Sequence, residues 1–476
     1  MTKRAKQRRP DGTTTDLEIT RIMVRDFKSL VGEQSIEIRP LTILAGANSA
    51  GKSSIMQPLL MMKQTLEAGY DPGAFKLDGP NVKFTGSQPL FSKIGRHRAH
   101  ESFSTGFEVD GIAWFQSKFE RKNGVGLDVV ETAYHLNAPI GKSETNDWVV
   151  RMNETLSLQD ARIPNEIRQF IEKLATIENS ELKAIFGGNV TFNSIKDRFF
   201  LTYAVSNNSD DKFVAELSTA VNSLITTIHV LYNEGYKRAL LNMFHLPGLR
   251  GNPARTYPVS GTGPMYPGTF ENYAASVLYN MQMTSNNDSL NSIFSDLIAL
   301  GLTWTIIAKS LSETEFELKI GRLPKKTKGG DDDLVNIADV GLGVSQVLAI
   351  VVALHAAKPG QLVYIEQPEI HLHPRAQTAM AGILAKAALR GVQTVVETHS
   401  ELLILGIRTL VAEDQLSPGI VKFHWFERDR TGVTKITPAD LDENGGTTAW
   451  PEDFAEVQLQ AQARYLDAAG TRSKGR

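Results

Sequence analysis

The sequence GANSAGKS at residues 46–53 fits the pattern G-x-x-x-x-G-K-[ST] and decides the fold of the chain. The apolar run at 41–45 predicts a buried strand before this loop, and a helical pattern opens at residue 54. A strand, a glycine loop and a helix N-terminus in this order cradle phosphate, because free backbone N–H groups and the helix dipole both face the anion. Lys52 would reach the β- and γ-phosphate oxygens, and the Ser53 hydroxyl would ligate Mg²⁺. The predicted nucleotide-binding residues of this loop are Gly46, Asn48, Ser49, Ala50, Gly51, Lys52, Ser53 and Ser54.

Strand patterns precede the loop and continue after its helix. Apolar residues alternate over 17–27 and 35–38, so two strands are expected before the strand that carries the loop. This order differs from a dinucleotide-binding fold, in which the glycine loop follows the first strand. Further strand-like stretches, separated by glycine-containing turns, predict an antiparallel sheet from residues 105–109, 113–120, 127–136 and 148–152.

The composition is that of a globular protein kept under reducing conditions. Apolar residues make up 41% of the 476 residues and charged residues 22%, which suits two or more domains with a sizeable core. Cysteine is absent, which excludes disulfides and thiolate metal sites and favours a cytoplasmic location. The net charge is -2, so any binding of nucleic acid has to be local. No apolar run approaches transmembrane length, and no membrane span or signal peptide is expected.

The patterns divide the chain into five segments. In chain order they are a basic disordered tail (1–16), the N-terminal part of the nucleotide-binding lobe (17–155), a mainly helical insertion (156–300), the C-terminal part of the lobe (301–460) and a second tail (461–476). The insertion is predicted from helical spacing over 156–186, 212–244 and 270–300. A hairpin-like pair of strands at 304–308 and 315–320 follows it.

A second glycine-containing segment lies far along the chain from the loop. Residues 341–346, GLGVSQ, precede an apolar helix predicted over 347–357. Free N–H groups and the helix dipole make such an N-terminus a potential anion site, and a plain glycine-rich N-cap is an equal alternative. The predicted nucleotide-binding residues of this segment are Gly343, Ser345 and Gln346.

An apolar strand that ends in a carboxylate follows this helix. The run LVYIE at 362–366 has the form of a Walker B strand with Glu366 in place of the usual aspartate, so Glu366 is predicted to hold Mg²⁺ directly or through water. Gln367 follows directly, at the place where hydrolysing ATPases with a Walker B strand normally have a glutamate that activates water. A glutamine cannot take a proton, although it can orient a water molecule by hydrogen bonding. Hydrolysis is therefore expected to be slow unless Glu369 or His399 assists.

Histidines follow both of the last two predicted strands of the site. His371 and His373 lie in an extended segment and could bind a metal, but no third ligand is apparent and a structural loop is the favoured alternative. Residues 393–398 predict a buried strand with His399 at its carboxyl end, where ligands bind in open α/β sheets. His399 could contact a γ-phosphate there, and the alternative is an imidazole that caps the next helix. The predicted catalytic residues are Lys52, Glu366, Gln367 and His399, and the predicted metal ligands are Ser53 and Glu366.

As a set, these motifs resemble a known family. FKS at 27–29, the glycine loop, GLGVSQ at 341–346, IEQPE at 365–369 with LHP at 372–374, and ETHS at 397–400 occur in this order. They resemble the ABC-class ATPase heads of SMC-like and OLD-like proteins, often labelled AAA family ATPase in bacteria. The resemblance covers residues 17–75 and 335–455. It implies an α/β head that binds ATP and Mg²⁺, with a mixed sheet as P-loop core, an antiparallel β lobe and a helical insertion before the signature segment.

The family implies a mechanism in which two heads pair head-to-tail and enclose two ATP molecules. Ser345 and its neighbouring N–H groups would reach the γ-phosphate bound at Lys52 of the partner chain, and His399 would be the switch histidine. A homodimer or higher homo-oligomer joined through the ATP sites is implied, with a geometry that depends on nucleotide state. The chain departs from the family in two ways: its signature is not Leu-Ser-Gly-Gly-Gln, and Gln367 replaces the usual glutamate, either naturally or by an engineered exchange.

The family also implies a role for the chain as a controlling subunit. OLD-like nucleases carry a metal-binding Toprim domain after the ATPase, but only about 75 residues follow His399, about half of a typical domain. Stand-alone heads of this kind resemble the ATPase subunits of anti-phage systems such as PARIS and Septu. The expected function is a sensor and scaffold that holds a separate nuclease or toxin, which is compatible with a phage-encoded trigger.

Three other functions are weighed against this one. A DNA-maintenance ATPase of the RecF/SMC type would grip duplex DNA across the paired heads, but the near-neutral charge and the lack of a long coiled-coil pattern count against it. A self-contained nuclease would use Glu369, His371 and His373 with a metal. A structural protein with a vestigial nucleotide site is the simplest alternative, and Gln367 is its best support.

Overall fold

The computed structural model describes residues 17–93, 100–110, 113–122, 126–138, 146–153, 190–207, 233–259, 263, 265–323, 333–449 and 464–466. The strands are β1 (Ile19–Phe27), β2 (Leu30–Glu37), β3 (Leu41–Gly46), β4 (Ser102–Val109), β5 (Ala113–Lys122), β6 (Gly126–Ala138), β7 (Asn146–Asn153), β8 (Val190–Asp197), β9 (Phe200–Asn207), β10 (Phe244–Leu246), β11 (Tyr257–Pro258), β12 (Ile306–Ser310), β13 (Glu315–Gly321), β14 (Leu334–Asn336), β15 (Leu362–Glu366), β16 (Gln393–Thr398), β17 (Val421–Arg428) and β18 (Thr434–Ala439). The α-helices are α1 (Lys52–Leu66), α2 (Glu234–Leu241), α3 (Glu271–Met283), α4 (Asn287–Ala299), α5 (Leu342–Ala356), α6 (Pro374–Leu389) and α7 (Glu401–Ala412). Within these described ranges, none of the helices is both long and apolar enough to cross a membrane.

A six-stranded, mostly parallel sheet carries the glycine loop near its centre. Its strand order is β10-β15-β16-β3-β17-β18, and β18 alone runs antiparallel to its neighbour. Every residue of β3 and β16 is buried, as is typical of parallel strands that are covered on both faces. The carboxyl ends of β3, β16 and β15 meet at one edge of the sheet, so the residues that follow these strands lie side by side.

A second six-stranded sheet is antiparallel throughout and forms a lobe of its own. Its order is β2-β1-β4-β5-β6-β7. One face shares a hydrophobic core with α1, in which Phe75, Phe103 and Phe119 pack with their ring centroids between 4.4 and 6.2 Å apart. The predicted combination of a P-loop core with an antiparallel lobe is therefore confirmed, and β1 and β2 precede β3 as predicted.

Helices α3, α4 and α5 belong to a second hydrophobic cluster, which covers the other face of the central sheet. A small sheet of β11, β13 and β12, with β14 paired to β13, lies in the same part of the molecule. The helical pattern at 270–300 corresponds to α3 and α4, and the predicted strand pair corresponds to β12 and β13. Both predictions are therefore confirmed. They succeed because the apolar spacing and the turn residues indicate the same element in each segment.

The insertion at 156–300, which is predicted to be mainly helical, also contains strands among its described residues. β8 and β9 form an antiparallel hairpin within this span, and β10 begins at Phe244, where helical spacing predicts the end of a helix. β10 pairs in parallel with β15, which buries Phe244 and Leu246 at the edge of the central sheet. Local periodicity does not register such a tertiary pairing. The predicted helix at 156–186 and the tail at 1–16 lie outside the described residues, as do most of the helix at 212–244 and most of the tail at 461–476.

Candidate nucleotide site

The glycine loop joins β3 to α1 and is held in place by Thr434. The Thr434 hydroxyl lies 2.8 Å from the Ala50 carbonyl oxygen, to which it donates, and 2.7 Å from the Ser29 hydroxyl. Gly51 adopts a φ of 99° immediately before α1, and a Cβ there would lie 2.4 Å from Thr434 Oγ1. A glycine is required at this position because any other residue would be strained at this φ. Its side chain would also collide with the Thr434 hydroxyl that anchors the loop.

Lys52 and His399, which are distant in sequence, meet at the base of the loop. The Lys52 ammonium donates to the carbonyl oxygens of Gly46 at 3.1 Å and Ala47 at 2.9 Å, and its Nζ lies 3.4 Å from His399 Nδ1. Burial lowers the pKa of Lys52, and burial together with the nearby Lys52 charge lowers the pKa of His399. The imidazole is therefore neutral at neutral pH and available as a hydrogen-bond partner.

Glu397 is the carboxylate that contacts the loop, and sequence reasoning did not select it as a site residue. Ser53 Oγ donates to it, at 2.8 Å from Oε2 and 3.1 Å from Oε1, and the Tyr364 hydroxyl donates to Oε2 at 3.0 Å. Burial raises the pKa of Glu397, and the negative charge of Glu366 raises it further. The signal that could have found this residue is a single carboxylate in an otherwise uncharged buried strand, two positions before His399.

Glu366 lies one strand further from the loop and is bound by other groups. Its Oε1 lies 3.2 Å from Nε2 of His245, which belongs to β10, and its Oε2 accepts from the Gly248 backbone N–H at 3.1 Å. Burial alone would raise the pKa of Glu366, but the bonds from His245 and Gly248 lower it overall. His245 is almost fully buried and stacks on Tyr364, with the ring centroids 5.4 Å apart. No motif or spacing in the sequence indicates the contact of His245 with Glu366, because the two residues are 121 positions apart.

The residues after Glu366 connect its strand to the other parts of the site. The Gln367 backbone N–H donates to the Glu397 carbonyl oxygen at 2.7 Å, and the Glu369 carboxylate accepts from the His399 backbone N–H at 2.8 Å. Arg250 is buried and donates from Nη2 to the Glu366 carbonyl oxygen at 3.2 Å; burial lowers its pKa to about 10. Hydrogen bonds thus join the ends of β15 and β16: one is donated from the residue after β15, and the other from the residue after β16.

The segment at 341–346 lies at the N-terminus of α5, away from the loop of its own chain. Gly341 precedes the helix, and Gly343 and Ser345 lie in its first turn. The Gln346 side-chain amide donates to the carbonyl oxygens of Arg250 at 2.8 Å and Gly251 at 3.2 Å. The structure does not bring Gly343, Ser345 or Gln346 to the cavity around Lys52.

A cavity of about 650 Å³ lies over the loop, and its size is in the range of small-molecule sites. Its floor is formed by residues of the loop and of the two neighbouring strand ends. The lining includes Lys52, Ser53, Gln367, Glu397 and His399, together with Lys28, Ser29, Asn48, Ser49, Gly51, Ser54, Gln57, Gln88, Phe91 and Arg428. Most of these side chains are polar or cationic, which suits an anionic ligand.

The two histidines after Glu369 have structural contacts. His373 precedes α6, and its Nδ1 accepts from the Arg375 backbone N–H at 3.4 Å. His371 has a φ of 65° in the turn before it. Across the part of the chain that the structure describes, no group of three or more acidic, histidine or cysteine side chains could hold a metal ion.

Comparisons with known proteins bear on the C-terminal half. Residues 252–405 match the family model described as "AAA domain, putative AbiEii toxin, Type IV TA system". The matched segment contains α5, β15 and His399, and it is this part of the chain that is similar to an AAA domain. No curated protein matches the chain.

Several solved structures are similar to the chain at low identity. An SMC head bound to the C-winged helix domain of ScpA has 13% identity and a TM-score of 0.44, covering 90% of this chain and 98% of that chain. An SMC head domain from Thermotoga maritima has 11% identity and a TM-score of 0.35, covering 89% and 99%. An Smc head domain with an extended coiled coil, bound to the C-terminal domain of ScpA derived from Pyrococcus furiosus, has 12% identity and a TM-score of 0.38, covering 89% and 96%.

Proposed function

We propose that the chain binds ATP with Mg²⁺ and hydrolyses it slowly. The observation that carries the proposal is that Lys52, Ser53, Gln367, Glu397 and His399 line one cavity. They come from three separate segments of the sequence, and each offers a group that an ATPase uses: an ammonium, a hydroxyl, an amide, a carboxylate and an imidazole. The match of residues 252–405 to an AAA domain supports the same reaction class.

Slow turnover follows from the groups available to activate water. Gln367 has no basic atom, the Glu369 carboxylate accepts from the His399 backbone N–H and does not line the cavity, and Nδ1 of His399 lies 3.4 Å from the Lys52 ammonium. Positioning of the phosphates and stabilisation of charge remain available from Lys52 and the loop N–H groups, and these account for most of the catalysis of phosphoryl transfer. The chain is thus suited to holding ATP for long periods between hydrolysis events.

Nucleotide-dependent pairing is the second part of the proposal. The N-terminus of α5, with the partly buried Gly343 and Ser345, does not line the cavity around Lys52. In a homodimer or higher homo-oligomer, this segment would complete the site of the next copy and contact its γ-phosphate. ATP would then stabilise the oligomer because it contacts both chains.

The biological role that we propose is control of a separate effector in anti-phage defence. The description of the matched family model names a toxin of a Type IV TA system, which supports a defence setting. The ATP-dependent oligomer would act as a sensor and scaffold in the cytoplasm and release a nuclease or toxin when a phage-encoded trigger binds. Its cysteine-free sequence suits that reducing compartment.

The test is Mg-ATP binding and turnover by the purified chain beside its Lys52→Ala variant. Lys52 is the cation at the base of the cavity, so its removal should abolish turnover and weaken ATP binding by about tenfold or more. Lys83→Ala is the matched control, since Lys83 is exposed and does not line the cavity. Equal ATP affinity in Lys52→Ala and the wild type would contradict the proposal.

A further inference from the structure

The structure differs from the sequence prediction in the carboxylate that lies nearest to the predicted Mg²⁺ ligand Ser53. The last residue of the Walker B-like strand β15 is Glu366, yet the carboxylate bonded to the loop hydroxyl belongs to Glu397 on β16. In the sheet register Glu366 is paired with Glu397, and Glu397 in turn is paired with Leu44 of β3. Glu397 is therefore one strand nearer to the glycine loop than Glu366.

The two carboxylates also differ in the groups that they bind. Both oxygens of Glu366 are bonded to groups outside the glycine loop, Oε1 to His245 and Oε2 to the Gly248 backbone N–H. Both oxygens of Glu397 face the Ser53 hydroxyl, and Glu397 lines the cavity that contains Lys52. Moving Glu366 to the loop would leave His245 buried without its carboxylate partner, which costs free energy.

The donor set at Ser53 and Glu397 fits Mg²⁺. A hydroxyl and a carboxylate are hard oxygen ligands, and Mg²⁺ commonly takes one or two protein oxygens and completes its shell with phosphate oxygens and water. This matches the finding that, among the described residues, side chains alone do not form a cluster of three ligands. The bound Mg²⁺ would neutralise charge on the phosphates, and Ser53 and Glu397 would hold it beside them.

We propose that Glu397 supplies the protein carboxylate of the Mg²⁺ site and that Glu366 is a positioning residue, an inference that rests on the proposed binding of ATP. Glu366 holds His245 and the loop at Gly248 against the end of β15. That loop continues into Arg250, whose carbonyl oxygen accepts from Gln346 of the signature segment. Through these contacts Glu366 would hold the N-terminus of α5 in position, whereas Glu397 would bind the metal.

The test measures how Mg²⁺ changes the binding of a fluorescent ATP analogue to the full chain. In the wild type, affinity should rise with Mg²⁺; in Glu397→Gln we expect this gain to fall by about tenfold or more, while metal-free binding is kept or improved. Glu366→Gln is the matched control and should keep the Mg²⁺-dependent gain. Mn²⁺ in place of Mg²⁺ gives an independent readout, because its electron paramagnetic resonance signal reports metal bound to the protein with ATP.

Two further variants separate a lost ligand from a disturbed fold. Tyr364→Phe removes the hydroxyl that donates to Glu397 but keeps the carboxylate, so the Mg²⁺-dependent gain should persist. Glu397→Asp keeps a shorter carboxylate and should recover part of the gain lost in Glu397→Gln. Loss of the gain in Glu366→Gln, or its full retention in Glu397→Gln, would overturn the assignment. A wild type that binds no ATP at all would instead refute the proposed function.

Discussion

His424 makes the stability of the central sheet depend on pH in a way that can be calculated. It lies in β17 beside Leu44 of β3 and is 1% exposed. Its Nε2 donates to the Glu37 carbonyl oxygen at 2.9 Å, and its Nδ1 has no hydrogen-bond partner among the described residues. Burial, with a smaller contribution from the charge of Lys422, lowers the pKa of His424 to about 4.

The lowered pKa means that the folded chain keeps His424 neutral while the unfolded chain takes up a proton at its ordinary value. The contribution of His424 to the free energy of unfolding is therefore fully present above the unfolded pKa of about 6.5, and it is lost as the pH falls toward the folded pKa. For a shift from about 6.5 to about 4, linkage gives a loss of about 2 kcal/mol at about pH 5 and about 3 kcal/mol near pH 4.

The assay compares urea unfolding of the wild type and His424→Gln at about pH 7.5 and about pH 5. Glutamine can still donate to the Glu37 carbonyl oxygen but does not titrate, so the variant should lose about 2 kcal/mol less than the wild type over this interval. Equal losses in the wild type and His424→Gln would refute a buried neutral imidazole in this sheet.

Two predictions concern turnover and pairing. Gln367→Glu places a base beside Glu397 and His399 and should raise ATP turnover by about 10²-fold or more; unchanged turnover would show that the missing base is not what limits hydrolysis. Ser345→Arg puts a long side chain on the first turn of α5 and should block ATP-stabilised oligomers while leaving ATP binding intact. Native mass spectrometry with and without ATP measures this, and persisting oligomers would count against contact with a partner's phosphate.

Several parts of the site could be predicted because their residues are contiguous. The loop from Gly46 to Ser53, its strand and its helix are local in sequence, and their glycines and apolar runs suffice to identify them. His399 was selected because it follows a buried strand, and it does lie beside Lys52. Gln367 was selected by its place after Glu366, and it does line the same cavity.

Other parts could not be predicted because they depend on which strands are neighbours. β10 is too short to show a period, and it becomes a strand only by pairing with β15. That pairing brings His245 to Glu366, a contact between residues 121 positions apart. The Arg250 loop follows the same strand and donates to the end of β15, so its role also arises from the pairing.

The sequence by itself determined that the chain has a phosphate-binding loop after a third strand, an antiparallel lobe, and two later apolar strands that end near polar residues. These features are local, since each rests on periodicity or on a glycine-containing motif within a few residues. Only the tertiary structure decided that β16 lies between β3 and β15, and hence that Glu397 rather than Glu366 contacts Ser53. Strand order is set by the packing of the whole sheet, and two carboxylates at the ends of neighbouring apolar strands look alike until that order is known.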